Sequence, residues 1–468
     1  MYQETEIWQA RPLAGTHARQ TMGAQKQWLP ATPVNPQQDF VCNGASFADV
    51  YVMAAQLHDF FSAKSLKIVC LATENKAVIG AALLAALAGK TTLLLPNALS
   101  RRALARLQQA TGFTALIGNP TECSTIFPAR VEVLWPEKQQ TLSQLPAFDY
   151  SSDLLRLFTG GTTGAPSIWA KSGENMFAEA HFLAENFALS GADTIVATVS
   201  PCHIYGLLFS VMLPLVSGAS VVADIPSFPT EIAETVTQHQ ATLFAAVPAH
   251  YRALQGKQIH DGTLRLAVSS AGMLDPEDNQ AFCTVNNVPV VEVYGSTETG
   301  GIATRNRYAG ETFFTPFATV DWKISDSRLA VRSTYISAQT SRDKDGYFIT
   351  GDRVEPTENN GFMLQGRADN ITKVGGKRVD LDEIREVLKK QSAVEDCVVL
   401  SLPDPRGREN RICALVQCSE PNREQLLTAL QKDLEPYALP RVLRAVPKIP
   451  VTRAGKYDHG AICNLLNQ

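Results

Sequence analysis

Between Lys67 and Pro96 the chain reads KIVCLATENKAVIGAALLAALAGKTTLLLP. A β-rich run, an alanine-rich helical run, Gly89 as a helix stop and a second β-rich run follow one another. Strands joined through a helix of that length pair in parallel, so this is the signature of a βαβ crossover. A similar cycle recurs as a strand over Thr194–Thr198, a long apolar helix through Leu215 and a strand over Ala219–Ala223. Further strands are expected at Thr242–Val247, Leu264–Ser269 and Val290–Val293, each followed by small or turn residues. The sequence therefore predicts a large α/β body whose loops at the strand ends are available for chemistry.

From Phe314 to Phe362 the pattern changes to short β-like pieces, TVDWKI, RLAVRS and YFITG, separated by Ser, Asp, Asn and Gly. A boundary is expected near Gly366, because Asp369–Gly376 is polar and glycine-containing while Leu381–Lys390 forms an amphipathic helical pattern. Strands over Val394–Ser401 and Ile412–Gln417 and a helix over Arg423–Leu434 complete a C-terminal domain of about one hundred residues. The expected fold is α/β: an N-terminal body over 1–365, with mixed α/β sheets and a β-rich subdomain at about 311–365. A small mobile α+β domain over 366–468 follows it. The full length of 468 residues suits two or three domains.

Charge narrows the partners. With 42 Lys and Arg against 46 Asp and Glu, a net charge of -4 and 45% hydrophobic residues, the chain has neither the bias of a disordered segment nor that of a nucleic-acid-backbone binder. Nine cysteines without paired spacing and a polar start (MYQETEIWQA) point to a reducing, cytoplasmic compartment without a secretory signal. The apolar stretch Ile204–Val222 is interrupted by Ser210, Pro214, Ser217 and Gly218, so it is expected as a buried helix and strand rather than a membrane span.

Five local motifs carry chemistry. Leu157–Pro166 (LFTGGTTGAP) opens an apolar run into glycines and threonines, which suits a backbone nest for phosphate, although such a turn alone also reads as an ordinary loop. It lacks the Gly-Lys-Ser/Thr of a Walker A loop. Val293–Gly301 (VYGSTETGG) places an aromatic ring, hydroxyls and the Glu298 carboxylate straight after a strand. That fits base stacking and a hard cation, or equally a capped turn with a solvated glutamate. Asp352 closes the strand of DGYFITGD, where a carboxylate can accept ribose hydroxyls. GRADNITKVGGKRV lies on the proposed boundary from Gly366, and IPVTRAGK ends in a glycine-lysine turn at Lys456.

Together and in this order, the five motifs resemble the adenylate-forming superfamily of acyl-CoA synthetases, aryl-CoA ligases, luciferases and peptide-synthetase adenylation domains, over nearly the whole chain. The resemblance implies ATP-dependent activation of an aryl or fatty acyl carboxylic acid to an acyl-adenylate, then transfer to the thiol of CoA or of a carrier protein's phosphopantetheine. It implies Thr159, Gly161, Thr162, Thr163 and Gly164 around the β- and γ-phosphates, Tyr294 on adenine, Thr297 at the α-phosphate and Glu298 holding Mg²⁺. Asp352 would bind the ribose, Arg367 the ribose or a phosphate, and Lys456 would bridge the substrate carboxylate and the α-phosphate. The small domain would swing about a hinge at Asp369, exchanging Lys456 for the loop of Gly375 and Gly376, which lines the thiol's tunnel. Cys202, His203, Ile204 and Tyr205 fall in the acyl-pocket segment, with His203 at the place of a gating aromatic. Amino-acid-activating members carry an Asp in this segment, so an acid without an α-amino group is implied. Ser269–Leu274, including Ala271, Gly272 and Met273, would form the opposite wall, with Ala246, Val247, His250 and Tyr251 beside it.

The sequence departs from the family pattern at two points. Ser167 follows Pro166 where the family usually has Lys, leaving Lys171 as the next cation, and His459 stands where an Arg is usual. The short stretch before the first crossover suggests a trimmed N-terminal region. The competing reading is a nucleotide- or acyl-binding homologue that has lost catalysis, against which Glu298, Asp352, Arg367 and Lys456 are all retained.

Overall fold

Ile68–Leu71 (β1) and Thr92–Leu95 (β2) pair in parallel, Ile68 opposite Thr92 and Cys70 opposite Leu94, with helix Lys76–Gly89 between them in sequence. The expected crossover is present in this computed structural model, which describes residues 35–96, 98–123, 131–138, 145–159, 167–374, 377–403, 410–418, 423–453 and 455–467. The crossover helix is buried from Lys76 to Leu87, as its lack of a polar face requires. It packs beside helix Phe47–Ala63, whose first turn is closed by a reciprocal capping box between Ser46 and Asp49. Gly89 proves to be the last helical residue rather than the stop. Lys90 takes the left-handed C-cap at φ 53°, with its ammonium 3.2 Å from Asp149.

Lys76, at the start of that helix, is buried because its ammonium donates to the carbonyls of Val222 and, at 3.0 Å, Asp224. Burial pushes its pKa down to about 8 against the opposing pull of Asp224, Cys42 and Glu74.

The chain forms two compact units. The first comprises the described residues up to Phe158 with Ile168–Pro226 and Thr235–Phe244. The second comprises Ser227–Glu234 and the described residues from Ala245 onward, with Thr159 and Ser167. In the first unit, Ala115–Ile117 (β3), Glu132–Leu134 (β4), Asp153–Thr159 (β5) and Ser167–Ser172 (β6) complete a six-stranded sheet in the order β4-β3-β1-β2-β5-β6. Thr194–Ala197 (β7) and Ser220–Val221 (β8) also pair in parallel there. The helical run Ile204–Ser217 joins them and contains a π-helical turn at Leu208–Met212. β8 is shorter than the sequence suggested, ending where the Val222 carbonyl accepts from Lys76.

The chain passes to the second unit within Leu243–Ala246 (β9). There Leu266–Ser269 (β10) runs parallel to Val290–Ser296 (β11), which pairs antiparallel with Gly300–Asn306 (β12), itself antiparallel to Thr315–Pro316 (β13). Asp321–Ser325 (β14), Arg328–Arg332 (β15), Phe348–Pro356 (β16) and Phe362–Arg367 (β17) form a four-stranded antiparallel sheet where a β-rich subdomain was expected. A 3₁₀ turn at Ala368–Asn370 leads into the hairpin of Ile371–Val374 (β18) and Lys377–Asp380 (β19), then helix Leu381–Lys389. Asp396–Pro403 (β20), Asn410–Gln417 (β21) and Val442–Val446 (β22) form the last sheet, accompanied by helices Arg423–Asp433 and His459–Asn467. Two apolar clusters, centred on Ile384 and Leu430 and on Val398 and Ile462, draw their buried members from position 379 onward. Among the described residues, no helix is long and apolar enough to cross a membrane.

Candidate active site

β11 is an apolar strand with one buried carboxylate, and it delivers the motif at its C-terminal end. Val290, Val291 and Val293 are buried, and Glu292 among them is satisfied by Arg305 Nε at 3.0 Å, Arg305 Nη2 at 2.8 Å and Arg307 Nε at 2.8 Å. Glu292 and Arg305 sit directly opposite in the β11–β12 register. Gly295 follows a bulge after Tyr294 and must lack a side chain, because a Cβ there would collide with the Gly300 carbonyl and lie 2.9 Å from Gly301 Cα. The turn beyond is closed by Ser296 and Thr299, whose hydroxyls lie 3.0 Å apart, with the Thr299 hydroxyl donating to the Gly300 carbonyl at 2.8 Å. Thr297 and Glu298 are thus held half-buried on a fixed turn.

Tyr294 donates its hydroxyl to Asp352 Oδ2 at 2.6 Å. Its ring stands among Phe314, centroid 5.5 Å away, and Phe362, at 5.8 Å, while the Arg305 guanidinium lies 4.2 Å above the Phe314 ring. One arrangement therefore couples the expected base-stacking ring to the expected ribose carboxylate, and the Glu292–Arg305 pair buttresses it from behind. Asp352 pairs in register with Arg367 across β16 and β17.

Lys456 is carried on a tight hairpin in which Thr452 N donates to the Lys456 carbonyl at 2.7 Å and Gly455 takes φ 71°. A Cβ on Gly455 would come within 3.0 Å of Val247 Cγ2, so the hairpin lies against the residue preceding helix Pro248–Ala253. Lys456 is exposed, yet desolvation lowers its ammonium's pKa, and the Glu298 carboxylate opposes that shift. The hairpin is pegged by Tyr457. Its hydroxyl lies 3.0 and 2.9 Å from the two Asp396 oxygens and accepts from Arg385 Nη2 at 3.3 Å. Tyr457→Phe should destabilise the fold by about 1–3 kcal/mol, since a half-buried carboxylate loses one of its donors. Urea unfolding followed by circular dichroism would reveal this, and an unchanged midpoint would dismiss the peg.

In the first unit, Cys202 is buried and burial pushes its thiol up to about 12, so it is no thiolate at neutral pH. His203 occupies the N-cap position of helix Ile204–Leu207 without a capping bond from its side chain. Tyr205 is buried and packs edge-on against Phe209 at 5.0 Å. Gly206 is required by close approach, since a Cβ would lie 2.7 Å from the Val199 carbonyl and closer still to that of Ser200. Glu74 accepts from the Ser200 hydroxyl at 2.6 Å at the same strand ends.

In the second unit, Ser270 ties the expected wall segment to β11 by donating to the Val293 carbonyl at 2.8 Å. Ala271 adopts φ 68°, Gly272 is exposed and Met273 is 71% exposed.

Thr159 ends β5, whereas Gly161, Thr162, Thr163 and Gly164 lie outside the described residues, as do Gly375 and Gly376. Arg367 ends β17 and Asp369 lies in the following 3₁₀ turn. Lys171, the next lysine after Ser167, is fully buried on β6. His459 begins the last helix and is exposed. Sequence reasoning missed Glu292, Arg305, Arg353 and Tyr457. The signal for Glu292 was present as a lone charge inside the apolar run VVEVYG.

An α/β protein that gathers a carboxylate, an aromatic ring and a cationic hairpin around the end of β11 is the class these features define. Two family models then match, AMP-binding enzyme over 136–333 and AMP-binding enzyme C-terminal domain over 383–456, and the chain belongs to this adenylate-forming family. It is 28% identical over 366 residues to a probable CoA ligase, CCL8, of Humulus lupulus, covering 65% of this chain and 60% of that one. It is 26% identical over 360 residues to sulfoacetate–CoA ligase of Cupriavidus necator, covering 70% of each. With acetyl-coenzyme A synthetase 2 of Pseudomonas aeruginosa, at 25% identity, it shares 56% of the relative's length. In fold it resembles ATP-bound MatB from Rhodopseudomonas palustris (TM-score 0.78, 18% identity, 92% of this chain and 96% of that one). It also resembles the anthranilate CoA ligase AuaEII with anthranoyl-AMP (TM-score 0.75, 18% identity, 93% and 95%).

Proposed function

We propose that this chain is an AMP-forming acid–thiol ligase that activates an aryl or fatty acyl carboxylic acid without an α-amino group. The carboxylate oxygen attacks the α-phosphorus of ATP, the bond to the bridging oxygen breaks, and pyrophosphate leaves with the electron pair. A thiol then adds to the acyl carbon, loses its proton and expels AMP, giving the thioester of CoA or of a carrier-protein phosphopantetheine. The observation that carries this reading is the placement of Lys456 in the field of Glu298, on a hairpin lying against Val247. Two anions must meet in the first step, and a cation beside the carboxylate turn stabilises the charge as it moves to the leaving group.

In this reading Tyr294 stacks on adenine, Asp352 takes the ribose hydroxyls and Thr297 binds the α-phosphate. Arg367 reaches the ribose or a phosphate, and Thr159 with Gly161, Thr162, Thr163 and Gly164 cradles the β- and γ-phosphates. His203, with Cys202, Ile204 and Tyr205, supplies the acyl-pocket segment of the first unit, and Ala271, Gly272 and Met273 are the acyl-pocket residues of the second. Asp369 is the hinge between a body over 1–365 and a mobile domain over 366–468, and Gly375 and Gly376 line the thiol path. Glu298, on the turn after β11, would hold a Mg²⁺ ion, with phosphate and water oxygens filling the rest of its shell. That donor set fits the ion, which when bound would neutralise phosphate charge.

The test is pyrophosphate release from ATP and Mg²⁺ with benzoates, cinnamates and fatty acids, followed by a comparison of CoA with a phosphopantetheinylated carrier. Release with at least one acid class is expected. Silence across the panel with intact ATP binding would instead identify a binding homologue impaired at Ser167 or His459.

A further inference from the structure

We propose that Arg353 and Asp380 form a latch across the hinge that holds the C-terminal domain in the orientation presenting Lys456, so that Arg353 is a positioning residue for adenylation. The proposal rests on the two-orientation reading above and adds the contact that sets the balance between the orientations. Arg353 lies on β16 next to Asp352, before the hinge, while Asp380 lies after it, at the N-cap of helix Leu381–Lys389.

The two carboxylate oxygens of Asp380 are divided between two tasks. Oδ1 accepts from Asp382 N at 2.9 Å and caps the helix, and Oδ2 accepts from Arg353 Nη2 at 2.6 Å. Around this pair, Asp382 Oδ2 lies 3.9 Å from the same Nη2, and Asn370 Nδ2 donates to Asp382 Oδ1 at 2.9 Å. Gly366 takes φ 86°, which favours glycine, and the Asp382 carboxylate occupies the space a Cβ would fill. The start of the helix is therefore gripped by groups from β16, the end of β17 and the hinge turn.

The grip is strong enough to bias the domain and weak enough to open. Both partners are partly buried, which strengthens their attraction over that of a surface pair. Yet the guanidinium engages Asp380 through one nitrogen, and its Nε is buried without a hydrogen-bond partner among the described residues. Rotation about Asp369 displaces Asp380 from Arg353, so the pair exists in only one of the two orientations. A contact made in one state alone shifts the equilibrium by its full worth.

Each half-reaction proceeds from its own orientation. Weakening the latch therefore raises the ratio of the thioester-forming rate to the adenylation rate, whatever the starting populations. Asp380→Asn is the cleaner variant, since asparagine keeps the N-cap and removes the charge. Arg353→Gln removes the same pair from the other side.

Single-turnover rates would be measured for adenylation, as pyrophosphate release, and for thioester formation from pre-made acyl-adenylate, with thermal unfolding as the check on folding. The ratio is expected to rise about 10-fold in each variant and no further in the double variant, as for two ends of one contact. A loss confined to the KM for ATP in Arg353→Gln would instead make Arg353 part of the nucleotide site and overturn the latch. An unchanged ratio in Asp380→Asn and Arg353→Gln, while Lys456→Ala still separates the half-reactions, overturns the latch alone. Equal loss in both half-reactions for Lys456→Ala overturns the two-orientation reading and the latch with it.

Discussion

Lys456→Ala should slow acyl-adenylate formation by about 100-fold or more while leaving thioester formation from pre-made acyl-adenylate near its original rate. Removing one preorganised donor from a site of developing anionic charge costs on the order of 10²–10³ in rate, and Lys456 supplies a full charge rather than a dipole. The second half-reaction has no entering carboxylate and no departing pyrophosphate, so it has no need of that ammonium. The pH dependence provides a separate check. Desolvation lowers the pKa of Lys456, and Glu298 opposes the shift. The charged form is the useful one, so adenylation should fall as pH rises through that lowered pKa. Glu298→Gln removes the opposing carboxylate, pushes the ammonium further down and moves the alkaline limb to lower pH. The position of the limb is the quantity to compare, because the rate itself falls with loss of the proposed Mg²⁺ ligand. A limb that stays in place would show that the two groups do not interact in the working enzyme.

The parts of this fold that could be read from the sequence are those whose cause is local. The crossover at Lys67–Pro96 was legible because a strand period, an apolar helix and a second strand follow within one short segment. The apolar helix through Leu215 was equally plain, but its π turn at Leu208–Met212 was not. Gly89 was read as a stop, yet the left-handed residue is Lys90. The motif residues Tyr294, Thr297, Glu298, Asp352 and Lys456 were legible as a pattern, but the contacts that orient them were not. Tyr457 finds Asp396 across 61 positions, and Arg353 finds Asp380 across 27. No local pattern in the chain announces either partner. Lys76 shows the same limit: it looks like an exposed cation opening a helix, and only the distant carbonyls of Val222 and Asp224 make its burial tolerable.

Glu292→Ala should destabilise the protein by about 3–5 kcal/mol, the cost of leaving a buried charge without its partner. Arg305 is nearly as buried as Glu292, and the two are joined through both carboxylate oxygens, so the substitution strands a guanidinium in the strand interior. Arg307 loses its 2.8 Å contact at the same time, although it is less enclosed and can recover solvent. The consequence extends to the site. Arg305 lies over Phe314, and Phe314 walls the Tyr294 ring. A displaced Arg305 therefore loosens the surface proposed to hold adenine, and the variant should show a raised KM for ATP at temperatures where it remains folded. A Glu292→Leu, Arg305→Leu pair replaces both buried charges with apolar bulk and should recover most of the stability, because only the less enclosed Arg307 then lacks its carboxylate. It should not recover the KM, since the cation over Phe314 is gone. Recovery of both by the double variant would mean that the pair serves packing alone; recovery of neither would mean that Arg307 carries more of the carboxylate's charge than its exposure suggests.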